Sequence, residues 1–121
     1  MTFNRIEGSD GIEAQRAGFC VIYRWRFEPG SEERGIAAWE RLTRAIAREC
    51  GGLGSRLHRT AEGWFVAYAQ WPDEDTWKRS QSAASPDPQA SDEMASAIVE
   101  RLPPIRLNVA ADLLGPDRLR P

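Results

Sequence analysis

Hydrophobic and polar residues alternate most regularly over residues 19–28, FCVIYRWRFE. Five large apolar side chains fall on one face of this run, and a mixed set that includes two arginines falls on the other. Successive side chains of a β-strand point to opposite faces, so a period of two predicts a strand here. The apolar face should pack against helices or a second sheet.

A helix is predicted directly after this strand. The sequence Pro29-Gly30-Ser31 interrupts the alternation, and Ser31 is a residue type that caps helix N-termini. The apolar residues that follow recur at the spacing of one helical face: Ile36, Trp39, Leu42 and Ile46. Gly51-Gly52 should end the helix.

The middle of the chain predicts a β-hairpin that runs into a second helix. Residues 53–60 alternate, and Ala61-Glu62-Gly63 supplies a turn whose glycine can take a positive φ. Residues 63–71 are apolar on both faces, as in a central strand that is covered on two sides. Pro72 ends this strand because proline cannot donate to the next ladder bond. The acidic residues 73–75 suit the first turn of a helix.

The remainder of the chain is less regular. Residues 78–89 are rich in Ser, Ala and Pro, which predicts the end of a short helix followed by a loop. The loop at 80–91 is either an ordinary connection or a lid over a pocket mouth. A further helix is predicted over 90–102 and a last strand over 105–114, with Pro103-Pro104 between them.

This order of elements predicts an α+β, ferredoxin-like βαββαβ fold with a four-stranded antiparallel sheet. The first and third strands should be central, with helices on one face of the sheet. The domain spans 19–114, after a flexible N-terminal arm at 1–18 and before a C-terminal tail at 115–121. The strands that start at Phe19 and Gly63 carry many apolar residues on both faces. Neither face of the sheet should therefore remain exposed to solvent. We therefore expect a homodimer in which two sheets pair into an α/β barrel.

Composition narrows the class of protein. The net charge of the 121 residues is -2. The overall charge of the protein therefore does not attract nucleic acid, which is itself negatively charged. No apolar run approaches the roughly 20 residues that a membrane span requires, and the N-terminus does not resemble a signal peptide. Cys20 and Cys50 match neither a secreted disulfide framework nor a metal-ligand spacing. We therefore expect a cytoplasmic protein with reduced thiols, without a metal site and without a nucleic-acid or membrane partner.

The order of elements and four stretches together resemble the antibiotic biosynthesis monooxygenase family, whose members are small dimeric α/β-barrel proteins with a ferredoxin-like subunit. The stretches are CVIYRWRFEPGSEE, AWERLTRAI, GGLGSRLHR and VAYAQWPDEDTW. The resemblance implies a monooxygenase-like enzyme that needs neither a metal nor an organic cofactor. In such oxygenases a small phenol or quinol loses a proton in a pocket between sheet and helices, and the resulting carbanion-like species reacts with O₂.

Chemistry of this kind needs an aromatic-lined cavity and polar groups that hold and deprotonate a hydroxyl. The candidate catalytic residues are His58, Tyr68 and Tyr23. The candidate substrate-binding residues are Trp25, Trp39, Trp71, Trp77, Asn108 and Arg24. Haem-degrading relatives instead use a histidine on a helix, whereas His58, the only histidine here, falls on a predicted strand.

Each candidate also has a structural interpretation. His58 alternates with polar neighbours near a strand end and could simply face solvent. The aromatic residues could fill the core rather than line a cavity, and Arg24 and Arg26 could pair with carboxylates at the dimer interface. Because a fold does not define a function, a non-catalytic barrel that binds a small molecule, or has only a structural role, is the alternative to the enzyme.

Overall fold

The computed structural model describes residues 16–121. The predicted arm at 1–18 lies almost entirely outside this part of the chain. The elements that form the domain are β1 (Phe19–Phe27), α1 (Glu32–Glu49), β2 (Ser55–Arg59), β3 (Phe65–Trp71), α2 (Glu74–Ser82), α3 (Pro88–Ala97) and β4 (Ile98–Asn108). A single helical turn, α4 (Pro116–Leu119), follows near the C-terminus. No helix in the described residues has the length and apolar composition to cross a bilayer.

The four strands form one antiparallel sheet in the order β2-β3-β1-β4. The ferredoxin-like α+β fold predicted from the sequence is therefore confirmed, with β1 and β3 at the centre of the sheet. Tyr23 of β1 pairs with Ala67 of β3, and Ile22 pairs with Tyr68. Because paired residues share a face, this register fixes which side chains lie together on each side of the sheet.

The helices cover one face of the sheet and bury two aromatic clusters against it. One cluster centres on Phe19 and Trp77, whose ring centroids lie 5.6 Å apart. The other centres on Trp25, Phe27 and Phe65, and the rings of Phe27 and Phe65 meet edge to face at 4.8 Å. Burying a side chain of this size contributes about 1.5–3 kcal/mol, so these clusters hold the helices onto the sheet.

Two local predictions need correction. Ser31 is the N-cap of α1 as predicted, but its hydroxyl caps no backbone N–H and instead accepts from Arg34 Nη2 at 3.2 Å. The last strand was predicted over 105–114 and a helix over 90–102, whereas β4 begins at Ile98 and the helix ends at Ala97.

The prolines explain the second error. Pro103 and Pro104 lie inside β4, where the register against β1 shifts between Ile22 and Arg24. Proline is tolerated in a sheet at an edge strand or at a bulge, and β4 has both properties. Pro103-Pro104 would break a central strand, but at this edge it interrupts only part of the hydrogen-bond ladder between β4 and β1.

Candidate active site

A cavity of about 520 Å³ lies between the helix-covered face of the sheet and the helices. Its position follows from the sequence of β3. The helix-facing residues of this strand are Phe65, Ala67, Ala69 and Trp71, so two small side chains stand between two large rings. The two alanines leave space above the sheet that bulky residues would fill, and the volume lies in the usual range of small-molecule sites.

Aromatic and aliphatic side chains make up most of the cavity wall. The principal residues are Tyr23 and Trp25 from β1, Trp39, Leu42 and Ile46 from α1, Trp71 from β3, and Met94 and Ile98 from α3 and the start of β4. Gln81, in the last turn of α2, and Ser91, in the first turn of α3, also line it. The connection predicted over 80–91 is confined to residues 83–87 between these helices. Such a wall suits a flat aromatic molecule.

The residues of the cavity wall that have ionisable side chains are Tyr23, Arg24 and Arg101. Arg101 pairs with Trp25 and so lies on the helix-covered face, whereas Arg24 pairs with Val66 and Leu102 on the opposite face of the sheet. None of the described residues in its wall is a carboxylate or an imidazole. Arg24 also donates from Nη2 to the carbonyl oxygen of Pro103 at 3.1 Å, which holds it beside β4. The charges at the cavity are therefore positive, and a nearby positive charge favours the deprotonated form of a bound acid.

Tyr23 has a defined hydroxyl geometry. Its Oη accepts a hydrogen bond from Trp77 Nε1 at 2.8 Å. Burial raises the pKa of Tyr23 above the ordinary value of 10.0, and the bond from Trp77 partly opposes this rise. The phenol is therefore protonated at neutral pH and can donate a hydrogen bond.

The predicted site residues thus fall into two groups. Tyr23, Trp25, Trp39 and Trp71 line the cavity, and Arg24 borders it although its register places it on the opposite face of the sheet. Trp77 does not line it, and reaches the site through its hydrogen bond to Tyr23.

The other three candidates lie away from the cavity. His58 is exposed on β2, with Nδ1 3.1 Å from the carbonyl oxygen of Val66. Tyr68 lies on the opposite face of the sheet, where its hydroxyl is 3.1 Å from Cys20 Sγ; this contact is the main cause of its raised pKa. Asn108 is exposed at the end of β4.

The model of the family described as antibiotic biosynthesis monooxygenase matches residues 18–87 of this sequence. The chain belongs to this family. The match includes β1, α1, the β2–β3 hairpin and α2, and so contains Tyr23, Trp39, Trp71 and the alanine pair of β3. No protein of curated function matches the sequence.

Solved structures of family-like folds are similar over nearly their whole length. SnoaB, a cofactor-independent oxygenase from Streptomyces nogalater, aligns at 15% identity with a TM-score of 0.66, covering 83% of this chain and 100% of SnoaB. A protein from Pseudomonas aeruginosa aligns at 19% identity with a TM-score of 0.61, covering 79% of this chain and 97% of that protein. A protein from Mycobacterium tuberculosis aligns at 12% identity and a TM-score of 0.63, covering 79% of this chain and 98% of that one. At these identities the likeness establishes the fold.

In this member of the monooxygenase family, two parts of the cavity wall lie outside the set of residues predicted from the sequence. Ala67 and Ala69 were absent from the candidates, although two small residues between Phe65 and Trp71 on one strand face are a readable signal for a gap. Arg101 was missed because the start of β4 was placed inside a helix. No group of three or more metal-ligating side chains occurs within residues 16–121.

Proposed function

We propose that this family member is a cofactor-independent, monooxygenase-like enzyme that acts on a small phenol or quinol in the cavity. The observation that carries this proposal is the combination of an aromatic wall with ionisable groups that are cationic or phenolic. Indole rings hold a flat substrate, while arginine stabilises its anion. An electron-rich anion is the species that reacts directly with O₂.

The roles of the residues follow from their positions. Trp25, Trp39 and Trp71 pack against the substrate rings. Arg101 pairs with Trp25 on the cavity side of the sheet and stabilises a phenolate or enolate oxygen. Tyr23 donates its O–H to a substrate oxygen and so helps to hold the ring. The substrate proton leaves to water, since none of the described residues that line the cavity is a carboxylate or an imidazole. For an anthrone-like substrate the balance is R₂CH₂ + O₂ → R₂C=O + H₂O.

The proposal is tested by oxygen consumption of the purified protein with a panel of hydroquinones and anthrone-like phenols. We expect saturable uptake of one O₂ per substrate oxidised, with a rate that survives exhaustive treatment with a chelator. A control without protein measures autoxidation of each compound. If no compound gives uptake above this control, the oxygenase proposal fails.

The second candidate is a non-catalytic barrel that binds a small aromatic molecule. It is favoured because the wall residues within 16–121 include no carboxylate or imidazole base. General bases usually contribute a factor of about 10²–10⁴ to proton transfer, and a binding protein needs none. Tryptophan fluorescence titration separates the two candidates. Saturable quenching by compounds that cause no oxygen uptake would support the binding protein.

We further propose that two chains form a homodimer through the sheet face opposite the helices, which we call the far face. Its apolar residues are Ile22, Val66, Tyr68, Leu102, Ile105 and Leu107. Leu102, Ile105 and Leu107 are 38%, 38% and 37% exposed within the described chain. A second copy of the same face would bury this surface in an isologous interface.

A further inference from the structure

Trp77 connects helix α2 to the cavity residue Tyr23. The indole is only 8% exposed and packs against Phe19, so its ring has a fixed place beside β1. Its Nε1 is its only polar side-chain atom and lies 2.8 Å from Tyr23 Oη. The side chain therefore lies outside the cavity wall and still contacts a group that lines it.

The direction of this hydrogen bond determines what Tyr23 can do. An indole N–H can only donate, whereas a phenol both donates one hydrogen and accepts through its lone pairs. The bond from Trp77 therefore occupies a lone pair of Tyr23 and keeps the phenolic hydrogen away from the indole. Within residues 16–121, Tyr23 has no hydrogen bond to an acceptor. A cavity ligand with an oxygen acceptor can take that hydrogen.

We infer that Trp77 is a positioning residue, which orients the O–H of Tyr23 into the cavity so that it donates to an oxygen of the substrate. This inference rests on the proposed function for the role of the substrate, but the Trp77–Tyr23 contact itself can be tested without turnover. It also specifies the ligand further: one oxygen acceptor must face β1.

The first test uses the two tyrosines of the sequence. In Tyr68→Phe, Tyr23 is the only tyrosine, and its ionisation can be followed by tyrosinate absorbance. The charged groups around the pair include Arg101 in the cavity wall, Arg106, whose guanidinium lies 5.8 Å from the Trp77 ring centroid, and Glu74, which pairs with Arg106 at 3.3 Å and with Lys78 at 3.8 Å. These are unchanged by substitution of Trp77. We therefore expect the Tyr23 titration to move to higher pH in Tyr68→Phe/Trp77→Phe, because a donor to the phenolate has been removed. Identical titrations would overturn the inference.

A second measurement covers the case in which Trp77→Phe does not fold. In Tyr23→Phe the indole is intact but has lost its acceptor. We expect the Nε1–H resonance of one of the five tryptophans to shift upfield and to exchange faster with solvent. Tyr68→Phe, with the same chemical change on the far face, should leave that resonance in place. An unmoved set of indole resonances in Tyr23→Phe would also overturn the inference.

Kinetics provide the third test where a substrate is turned over. Trp77→Phe should lower kcat about tenfold with little change in KM, the size expected for the loss of one aligned hydrogen bond. In a Tyr23→Phe background the same substitution should have no further effect, because the group it positions is gone. Trp64→Phe, outside the cavity wall, controls for the general loss of an indole. Independent, multiplicative effects of the two substitutions would contradict a positioning role.

If no compound is turned over, the oxygenase proposal fails. The two spectroscopic tests still decide whether Trp77 positions the hydroxyl of Tyr23.

Discussion

Tyr23 and Tyr68 lie on opposite faces of the sheet, one on each of its two central strands. Tyr23 pairs with Ala67 and faces the helices and the cavity, whereas Tyr68 pairs with Ile22 on the far face. The hydroxyl of Tyr23 is held by Trp77 at 2.8 Å, and that of Tyr68 by Cys20 at 3.1 Å. The two phenols are thus chemically alike but face different surfaces: Tyr23 faces the cavity, and Tyr68 faces the far face.

This relationship gives a direct test of where catalysis occurs. Tyr23→Phe removes the hydroxyl from the cavity and should lower kcat/KM for oxygen consumption by about 10–100-fold, the loss expected for one polar group that contacts the substrate. It also leaves the Trp77 N–H without an acceptor, which costs about 1–3 kcal/mol of folding free energy. Rates should therefore be measured well below the melting temperature of the variant.

Tyr68→Phe is the matched control for this substitution. It deletes the same atom from the other face of the sheet, and we expect the rate per chain to stay within about a factor of two, well below the effect of a lost catalytic hydrogen bond. A rate that falls in Tyr68→Phe and persists in Tyr23→Phe would place the chemistry on the far face.

The far face gives the second prediction. Ile105→Glu places a charge among the apolar residues that we assign to the interface, and burying an unpaired charge is far more costly than leaving it in water. Light scattering after gel filtration should show the wild type at twice 13.6 kDa and the variant shifted towards 13.6 kDa.

Ala37→Glu is the control for the dimer. Ala37 is exposed on α1, on the side of the sheet that carries the helices, so the same charge there should leave the dimer intact. A wild-type monomer at micromolar concentration would exclude the proposed interface.

The fold could be predicted from the sequence because its central strands carry unambiguous patterns. Alternation over residues 19–28 defined β1 to within a residue, and the two-faced apolar run at 63–71 identified a central strand. The limits of β4 could not be predicted, because Pro103 and Pro104 signal a break unless the strand is known to lie at an edge. Edge position is a property of the assembled sheet rather than of the segment.

The site was harder to predict for a related reason. The indoles of Trp25, Trp39 and Trp71 indicate an aromatic interior, but these rings alone do not distinguish a filled core from a cavity. The distinction depends on Ala67 and Ala69 lying opposite α1 and α3, which requires the register of β3. The bond from Trp77 to Tyr23 joins residues 54 positions apart and is likewise a product of the fold.

Gly35 supports the third prediction, which concerns packing. It is buried in α1, and a Cβ built there would lie within 2.7 Å of three ring atoms of Phe27. Alanine in place of a helical glycine normally stabilises by about 1 kcal/mol, but overpacking a core costs about 1–3 kcal/mol. Because Phe27 is itself buried between Trp25 and Phe65, we expect the clash to dominate and Gly35→Ala to destabilise by roughly 1 kcal/mol or more.

Urea denaturation of Gly35→Ala checks this expectation. In a Phe27→Leu background the ring is gone, so the same substitution should cost less or should stabilise the protein. An increase in the urea midpoint of the single variant would show that the Phe27 ring moves aside easily.

The last prediction concerns the helix that carries Trp77. Asp73 caps α2: its carboxylate accepts from Thr76 N at 2.7 Å and from Thr76 Oγ1 at 2.8 Å. These bonds, the backbone one first, hold the pKa of Asp73 below its ordinary value of 3.8. A carboxyl with a lowered folded pKa stabilises the native state above its unfolded pKa and loses that contribution as the pH falls through the folded value. The contribution of Asp73 should therefore be complete above about pH 4 and decline below pH 3.8.

Asp73→Asn isolates this effect, since asparagine also caps helices but does not titrate. Melting temperatures of both proteins should be measured from pH 7 to pH 2.5, and the advantage of the wild type over Asp73→Asn should shrink below pH 3.8. Parallel curves for Asp73→Asn would mean that the cap does not couple to folding. Because the first turn of α2 places Trp77, loss of the cap in acid should also release the indole from Tyr23, which the Trp77 Nε1–H resonance would report in the same titration.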